Sequence, residues 1–136
     1  MNKIPALTKT EEKVMLFLWR QGKALSVQEM LENWDGEEKT WKDNYMRAIV
    51  HAMEEKGALK FSDLKQKGSR CSRRMRPMFS KAEYYNQLRR RGGLTIGEMA
   101  KAEAVAMAKD EDREGMDALL RDLEGIIEEY RTRDDE

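Results

Sequence analysis

Apolar residues recur at helical spacing in three short stretches in the first part of the chain. In the third stretch, residues 39–57, the apolar positions Met46, Ile49, Val50 and Met53 fall on one stripe of an α-helix. Polar side chains occupy the remaining positions. The pattern predicts a helix that presents one side to a core and the other side to a partner.

The ends of these helices carry recognisable signals. For the third helix, Thr40 is the predicted start, with Asp43 three residues later, and Gly57 is the predicted end. The first two helices begin with the capping-box sequences TKTE at residues 8–11 and SVQE at residues 26–29. Three short helices therefore precede Gly57.

After Gly57 the period changes from that of a helix to that of a strand. Residues 58–62 alternate and predict one strand, residues 71–79 predict a second strand that a proline stops, and residues 63–69 predict a flexible tip. Three helices followed by an arginine-rich hairpin are typical of a winged helix-turn-helix. The hairpin would be the wing.

The remainder of the chain is predicted to be helical, with segments at about 80–91, 95–108 and 114–131 and a frayed end at 132–136. The last helix carries a strong apolar stripe that needs a covering partner. Its predicted dimerisation residues are Met116, Leu119, Leu120, Leu123, Ile127 and Tyr130.

Composition indicates a cytoplasmic protein of one domain or of a small domain with an appendage. The chain has 136 residues, of which 38% are charged, and no apolar run approaches the roughly 18 residues that span a bilayer. The start of the chain lacks the apolar centre of a signal peptide. A single cysteine excludes an internal disulfide.

The zero net charge conceals opposite charges in the two halves. Residues 1–80 contain 16 Lys and Arg against 11 Asp and Glu, whereas residues 81–136 contain 10 against 15. Within residues 60–91 there are 11 basic residues and only two acidic ones. Positive potential is therefore concentrated around the predicted wing.

The sequence gives little support for catalysis. His51 is the only histidine, and no second histidine or cysteine can join it in a dyad or a metal site. No glycine-rich phosphate loop follows a strand, and the paired carboxylates lie in solvated charge runs. We therefore predict no enzyme activity, no metal and no cofactor.

Double-stranded DNA is the partner that the pattern favours. A helix in the major groove needs polar or short side chains that reach base edges, and flanking cations that bind phosphates. The candidate residues on the third helix are Lys42, Asn44, Tyr45, Arg47, Ala48 and His51, and those on the wing are Lys67, Arg70, Arg73 and Arg74.

Other interpretations remain open at this point. The basic surface could have no partner, and His51 by itself is more typical of an ordinary helix residue. Cys71, flanked by arginines, could be redox-active, although one unpaired cysteine is more often incidental. A ligand-responsive regulator is a further possibility, but no polar constellation defines a pocket.

Several motifs together resemble the penicillinase-repressor family, which includes the methicillin-resistance regulators and a copper-responsive branch. The similar segments are LTKTEEKVMLFLW, SVQEMLE, EEKGAL and MRPMFSKAEYY, within residues 7 to about 84. The resemblance implies a cytoplasmic bacterial repressor, with a winged helix on each protomer, a helical C-terminal homodimerisation part and a palindromic operator.

The chain also departs from that family. The start of the third helix lacks the usual threonines, and Asp43 would repel a phosphate. The chain has neither the Asn-Phe bond that is cleaved in antibiotic-responsive members nor the paired cysteines of the copper-responsive branch. The sequence therefore assigns no inducing signal.

We predict a mostly α protein with a small β-hairpin wing. A winged-helix DNA-binding domain would span residues 6–80, and a helical dimerisation region would span residues 81–136. The predicted function is sequence-specific repression by a homodimer. The alternative is a winged-helix protein-interaction or adaptor module that no longer reads DNA, for which Asp43 and the unusual helix start are the main support.

Overall fold

The computed structural model describes residues 4–36 and 41–134, and these form six helices and two antiparallel strands. In chain order the elements are α1 Lys9–Gln21, α2 Val27–Asn33, α3 Asp43–Glu55, β1 Leu59–Lys67, β2 Arg70–Pro77, α4 Lys81–Arg91, α5 Ile96–Lys109 and α6 Arg113–Asp134. The predicted fold class, mostly α with a hairpin wing, is confirmed.

The first two helices begin at the predicted capping boxes. The Thr8 hydroxyl accepts from the Glu11 backbone N–H at 3.1 Å, and the Glu11 carboxylate accepts from the Thr8 backbone N–H at 2.9 Å. Ser26 and Glu29 make the same pair of bonds at 3.2 and 3.0 Å. Gly22 then ends α1 in the left-handed region, with a φ of 68°.

The third helix, α3, begins at Asp43, later than the predicted start. Thr40 lies outside the described residues, and Lys42 occupies the N-cap position without a side-chain capping bond. The Asp43 carboxylate in the first turn still favours this start, because it interacts with the positive end of the helix dipole. The predicted end is confirmed, since Gly57 has a φ of 85°.

The hairpin is longer, and its loop shorter, than the sequence predicted. Residues 63–67 belong to β1, and only Gly68 and Ser69 connect the strands. The prediction of a flexible tip was wrong because polar residues on both faces hide the alternation of a strand. Gly68 has a φ of 64° at the first loop position, which is where a type II′ turn requires it.

An isolated β-bridge joins the hairpin to the segment between α1 and α2. Leu25, between α1 and α2, donates its N–H to the Met75 carbonyl at 3.1 Å and accepts from the Met75 N–H at 2.9 Å. Both side chains are buried. The base of the wing is therefore continuous with the core under the helices.

One apolar core unites α1, α2, α3, the base of the hairpin and the start of α4. Trp19 donates its indole N–H to the Phe79 carbonyl at 3.0 Å, and the Phe79 and Tyr84 rings stack with centroids 5.9 Å apart. The buried core residues are Val14, Met15, Phe17, Leu18, Leu25, Met30, Met46, Val50, Met53, Ala58, Leu59, Met75, Phe79 and Tyr84.

The chain divides into two compact units, one up to Leu88 and one from Arg89 onward, so the division falls within α4. In the second unit α5 packs against α6, yet no α5 residue is buried. The helix α6 extends to residue 134, so the prediction of fraying from residue 132 was wrong for the part described. No helix in the described ranges is long and apolar enough to cross a bilayer.

Candidate nucleic-acid interface

The helix α3 separates its apolar and polar residues onto two sides. Met46, Val50 and Met53 are buried in the core. The six candidate reading residues are all exposed on the remaining surface of the helix; they are Lys42, Asn44, Tyr45, Arg47, Ala48 and His51. The structure therefore places all six where a duplex could reach them.

Two acidic residues of α3 bind basic residues one turn away. The Asp43 carboxylate accepts from Arg47 Nε at 2.6 Å, and the Glu55 carboxylate lies 3.1 Å from His51 Nε2. These pairs are largely exposed, and exposed pairs contribute only about 0–1 kcal/mol. Arg47 could therefore exchange Asp43 for a base edge at little cost in free energy.

Aromatic contacts connect the start of α3 to the core. The Trp34 and Trp41 rings stack with centroids 4.6 Å apart, and Trp41 meets Tyr45 edge-on at 5.7 Å. Trp34 also packs on the buried Phe17 at 4.9 Å. Tyr45, although half exposed, is thus connected through two tryptophans to the core, which limits the positions that its hydroxyl can reach.

The wing cations fall into two groups. Arg73 donates two hydrogen bonds to the Glu54 carboxylate at 2.9 and 3.2 Å, and Arg74 donates to the carboxylates of Glu29 and Asp63. The Arg73 guanidinium also lies over the Phe61 ring, 5.2 Å from its centroid. These two arginines are engaged within the chain, a division that charge counting alone did not reveal.

Lys67 and Arg70, which flank the hairpin loop, form the second group. Both are exposed, they are paired directly across the two strands, and neither has an acidic partner among the described residues. Like charges that face each other across a strand pair destabilise it. An anion bound at the wing tip would relieve this repulsion.

Glu29 contacts two of the wing cations, which the sequence did not reveal beyond its capping role. Its side chain is only 13% exposed, and its carboxylate accepts from Arg74, Lys65 and the Ser26 backbone. Burial by itself would raise the pKa of Glu29, but the hydrogen bonds from Arg74, Ser26 and Lys65 outweigh it and lower that pKa to about 2. The carboxylate is therefore charged at any physiological pH.

An open groove of about 470 Å³ lies between α3 and β2. Its lining includes Arg47, His51, Arg70 and Cys71, so residues of the helix and of the wing share one surface. Cys71 is exposed on this surface. The groove brings the two sets of candidate residues together, although they are about 20 to 30 positions apart in the chain.

The predicted dimerisation residues lie along α6 in the second unit. Met116, Leu119 and Leu123 are half-buried, whereas Leu120, Ile127 and Tyr130 are each about half exposed. Further apolar residues are exposed in the same unit; they are Leu94, Ile96, Met99, Val105 and Ile126. A stripe of this extent on one small unit is typical of an interaction surface.

The family model described as penicillinase repressor matches residues 7–122, which is well over half of the chain. A search of curated proteins found no match.

Proposed function

The chain belongs to the penicillinase repressor family, a family of transcriptional repressors, and we propose that it acts as a homodimer that binds a palindromic DNA operator. Residues 6–80 would form the DNA-binding domain, and residues 81–136 the dimerisation region. The family is regulatory rather than enzymatic.

The observation that carries the proposal is the exposed side of α3. Its inner residues anchor the helix in the core, while Asn44, Tyr45, Arg47 and Ala48 project outward. An α-helix fits the major groove of B-DNA, where amide and guanidinium groups distinguish base pairs and a small side chain can contact a thymine methyl. In this hypothesis these four residues face bases.

Phosphate contacts are assigned to cations that have no acidic partner among the described residues. Lys67 and Arg70 at the wing tip and Lys42 before α3 are exposed and have no acidic partner in the described part of the chain. Each phosphate that such a cation neutralises releases counterions, so affinity falls as salt rises. Arg73 and Arg74 would contribute less, because carboxylates already hold them.

The apolar surface of the second unit supports the dimer. No residue from 89 to 133 is buried, yet α6 carries an apolar stripe over several turns. A second copy that supplies the same stripe would bury both surfaces, as in other two-fold interfaces. Two copies of α3 would then read half-sites about one DNA turn, or a small multiple of it, apart.

A specific observation favours the alternative, a protein-interaction module. Arg47, Arg73 and Arg74 are all paired with acids of the same chain, which lowers the positive potential of the proposed DNA face. A module that no longer reads DNA would tolerate such pairing. It would give no gel shift with promoter DNA even at low salt.

A binding titration with promoter DNA from the protein's own locus tests the proposal. Because Lys67 and Arg70 are assigned to phosphates, the double variant Lys67→Ala/Arg70→Ala should weaken binding about tenfold or more at low salt and flatten the salt slope by up to about two. A matched control, Lys9→Ala/Lys101→Ala, removes the same charge from exposed positions elsewhere. Equal losses in both double variants would contradict the assignment.

A further inference from the structure

The carboxylate of Glu29 lies where α2 meets both strands of the wing. Its Oε1 accepts from the Ser26 N–H at 3.0 Å and from Arg74 Nε at 3.1 Å. Its Oε2 accepts from Lys65 Nζ at 3.1 Å and from Arg74 Nη2 at 3.3 Å. One nearly buried group thus binds three elements: the start of α2, β1 and β2.

The capping box holds Glu29 in place independently of the wing. The Glu29 backbone N–H donates to the Ser26 hydroxyl at 3.2 Å while the side chain returns to the Ser26 N–H. Because both ends of the residue are fixed on α2, its carboxylate is a rigid acceptor for the wing cations. An exposed pair such as Arg73 with Glu54, which connects the wing to α3, is less constrained.

The strand register places the anchored and the unpartnered cations on the same face of the hairpin. Residues paired directly across the strands share a face, and the face alternates along each strand. The residues of this face are Asp63, Lys65, Lys67, Arg70, Ser72 and Arg74. A groove of about 270 Å³ between this face and α2 is lined by Glu29 and Glu32 as well as by Lys65, Lys67 and Arg70.

The two ends of this face therefore differ. At the base, Lys65 and Arg74 are bound to Glu29, with Asp63 as an additional partner of Arg74 at 3.2 Å. At the tip, Lys67 and Arg70 have no acidic partner among the described residues. On this face, Lys67 and Arg70 at the tip can bind phosphate without breaking any ion pair among the described residues.

We propose that Glu29 is a positioning residue for DNA recognition, which orients the wing against α2 and withholds Lys65 and Arg74 from phosphates. The inference rests on the proposed DNA-binding function. Specificity is a difference between the affinities for the operator and for other sequences. Cations that bind any phosphate raise both affinities, so holding two of them internally lowers non-specific binding, while a fixed wing preserves operator binding.

The variant Glu29→Gln tests this role, because glutamine is accepted at the same capping-box position but carries no charge. Binding is measured with the promoter duplex and with a random duplex of equal length, across a series of salt concentrations. The random duplex should bind about threefold or more tightly, with a salt slope steeper by up to about two. The promoter duplex should bind about threefold more weakly because the wing is no longer held against α2, so the ratio of the two affinities should fall about tenfold.

The matched control is Glu32→Gln, one turn further along α2. Glu32 lines the same groove and is exposed, and its carboxylate accepts from Gln28 at 3.1 Å. Removing this charge alters the local potential without releasing Lys65 or Arg74. Its affinity ratio should change less than twofold, and equal changes in the two variants would overturn the inference.

A double-variant cycle separates positioning from a general loss of structure. If Glu29 acts through Arg74, Glu29→Gln should have a much smaller effect in a chain that already carries Arg74→Gln than in the wild type. The quantity compared is the ratio of promoter affinity to random-duplex affinity. Arg74 has no part in the capping box, so Arg74→Gln also serves if Glu29→Gln does not fold. Full additivity of the two changes would contradict the mechanism.

Hydrogen exchange of the backbone amides in β1 and β2 measures how firmly Glu29 holds the wing, and it needs no DNA. Exchange in β1 and β2 should be faster in Glu29→Gln than in Glu32→Gln. If exchange is faster in Glu29→Gln but the wild type binds no DNA, the proposed DNA-binding function is overturned. The role of Glu29 in holding the wing against α2 then still stands. Unchanged exchange together with an unchanged affinity ratio would overturn the inference alone.

Discussion

The two units of this chain differ in how far they bury their apolar residues. In the unit up to Leu88, the helices α1, α2 and α3 and the base of the hairpin share one buried core. In the unit from Arg89 onward, no residue from 89 to 133 is buried, although its apolar residues repeat at regular helical spacing. The first unit buries its apolar residues within itself, whereas the apolar residues of the second unit stay at least partly exposed in a single chain.

The comparison also separates two uses of charge. The winged unit neutralises several of its cations internally and leaves those at the wing tip and before α3 without acidic partners in the described ranges. In the second unit, the ion pair between Glu129 and Arg133, one turn apart at 3.0 Å, is local and exposed. We interpret the first pattern as preparation for an anionic partner and the second as solvation of a helix.

The largest expected effect is on the core of the winged unit. Phe17 is fully buried, so Phe17→Ala should lower the free energy of unfolding by about 3–5 kcal/mol through lost burial and a residual cavity. Urea denaturation followed by circular dichroism measures this loss. The loss should not depend on protein concentration, and a change below about 1 kcal/mol would contradict a self-sufficient core.

The next effect concerns the uncovered stripe of the second unit. Ile127→Asp should convert a dimer of two 15.9 kDa chains into a monomer, because a carboxylate would be buried without a partner at the interface. Light scattering measures the mass. The control Glu128→Gln changes the charge of an adjacent exposed residue and should keep the dimer. A wild type that is monomeric at all concentrations would refute the proposed dimer.

Acid should weaken the winged unit through Glu29. Its pKa is lowered to about 2 in the folded protein from an ordinary value of 4.5, so its contribution is complete above pH 4.5 and is lost as the pH falls from there towards 2. The loss is about 1–3 kcal/mol. Unfolding at pH 7 and pH 3 should show a smaller acid effect in Glu29→Gln than in Glu32→Gln, and equal effects would argue against the anchor.

The smallest effect on stability is expected at the exposed pair on α3. Asp43→Asn removes the partner of Arg47 and should change the free energy of unfolding by less than about 1 kcal/mol. DNA affinity at low salt should nevertheless rise about threefold, because Arg47 is released and a negative charge is lost near phosphates. Unchanged or weaker affinity would indicate that Asp43 instead orients Arg47 for base contact.

Features set by neighbouring residues were predictable from the sequence. The capping boxes at Thr8 and Ser26, the helix end at Gly57, and the stripe on α6 all depend on spacings of a few residues. The hairpin was underestimated because its charged residues conceal the strand, although the Gly68-Ser69 pair was an available signal for a two-residue loop.

Features that join distant segments were not predictable in this way. The bridge from Leu25 to Met75 and the ion pair from Glu29 to Arg74 each connect residues at least 45 positions apart. Charge counting grouped four wing cations together, whereas the fold assigns two of them to internal carboxylates. Which arginine meets which acid depends on strand register and helix packing, and a one-residue slip of the register would change every pair.

The central claim is that two copies of this chain hold two α3 helices against one duplex. The most direct measurement is the stoichiometry of the complex with promoter DNA, by analytical ultracentrifugation at low and at moderate salt. The account predicts two chains per duplex and an affinity that falls steeply with salt. A single chain per duplex, or no complex even at about 50 mM salt, would contradict it.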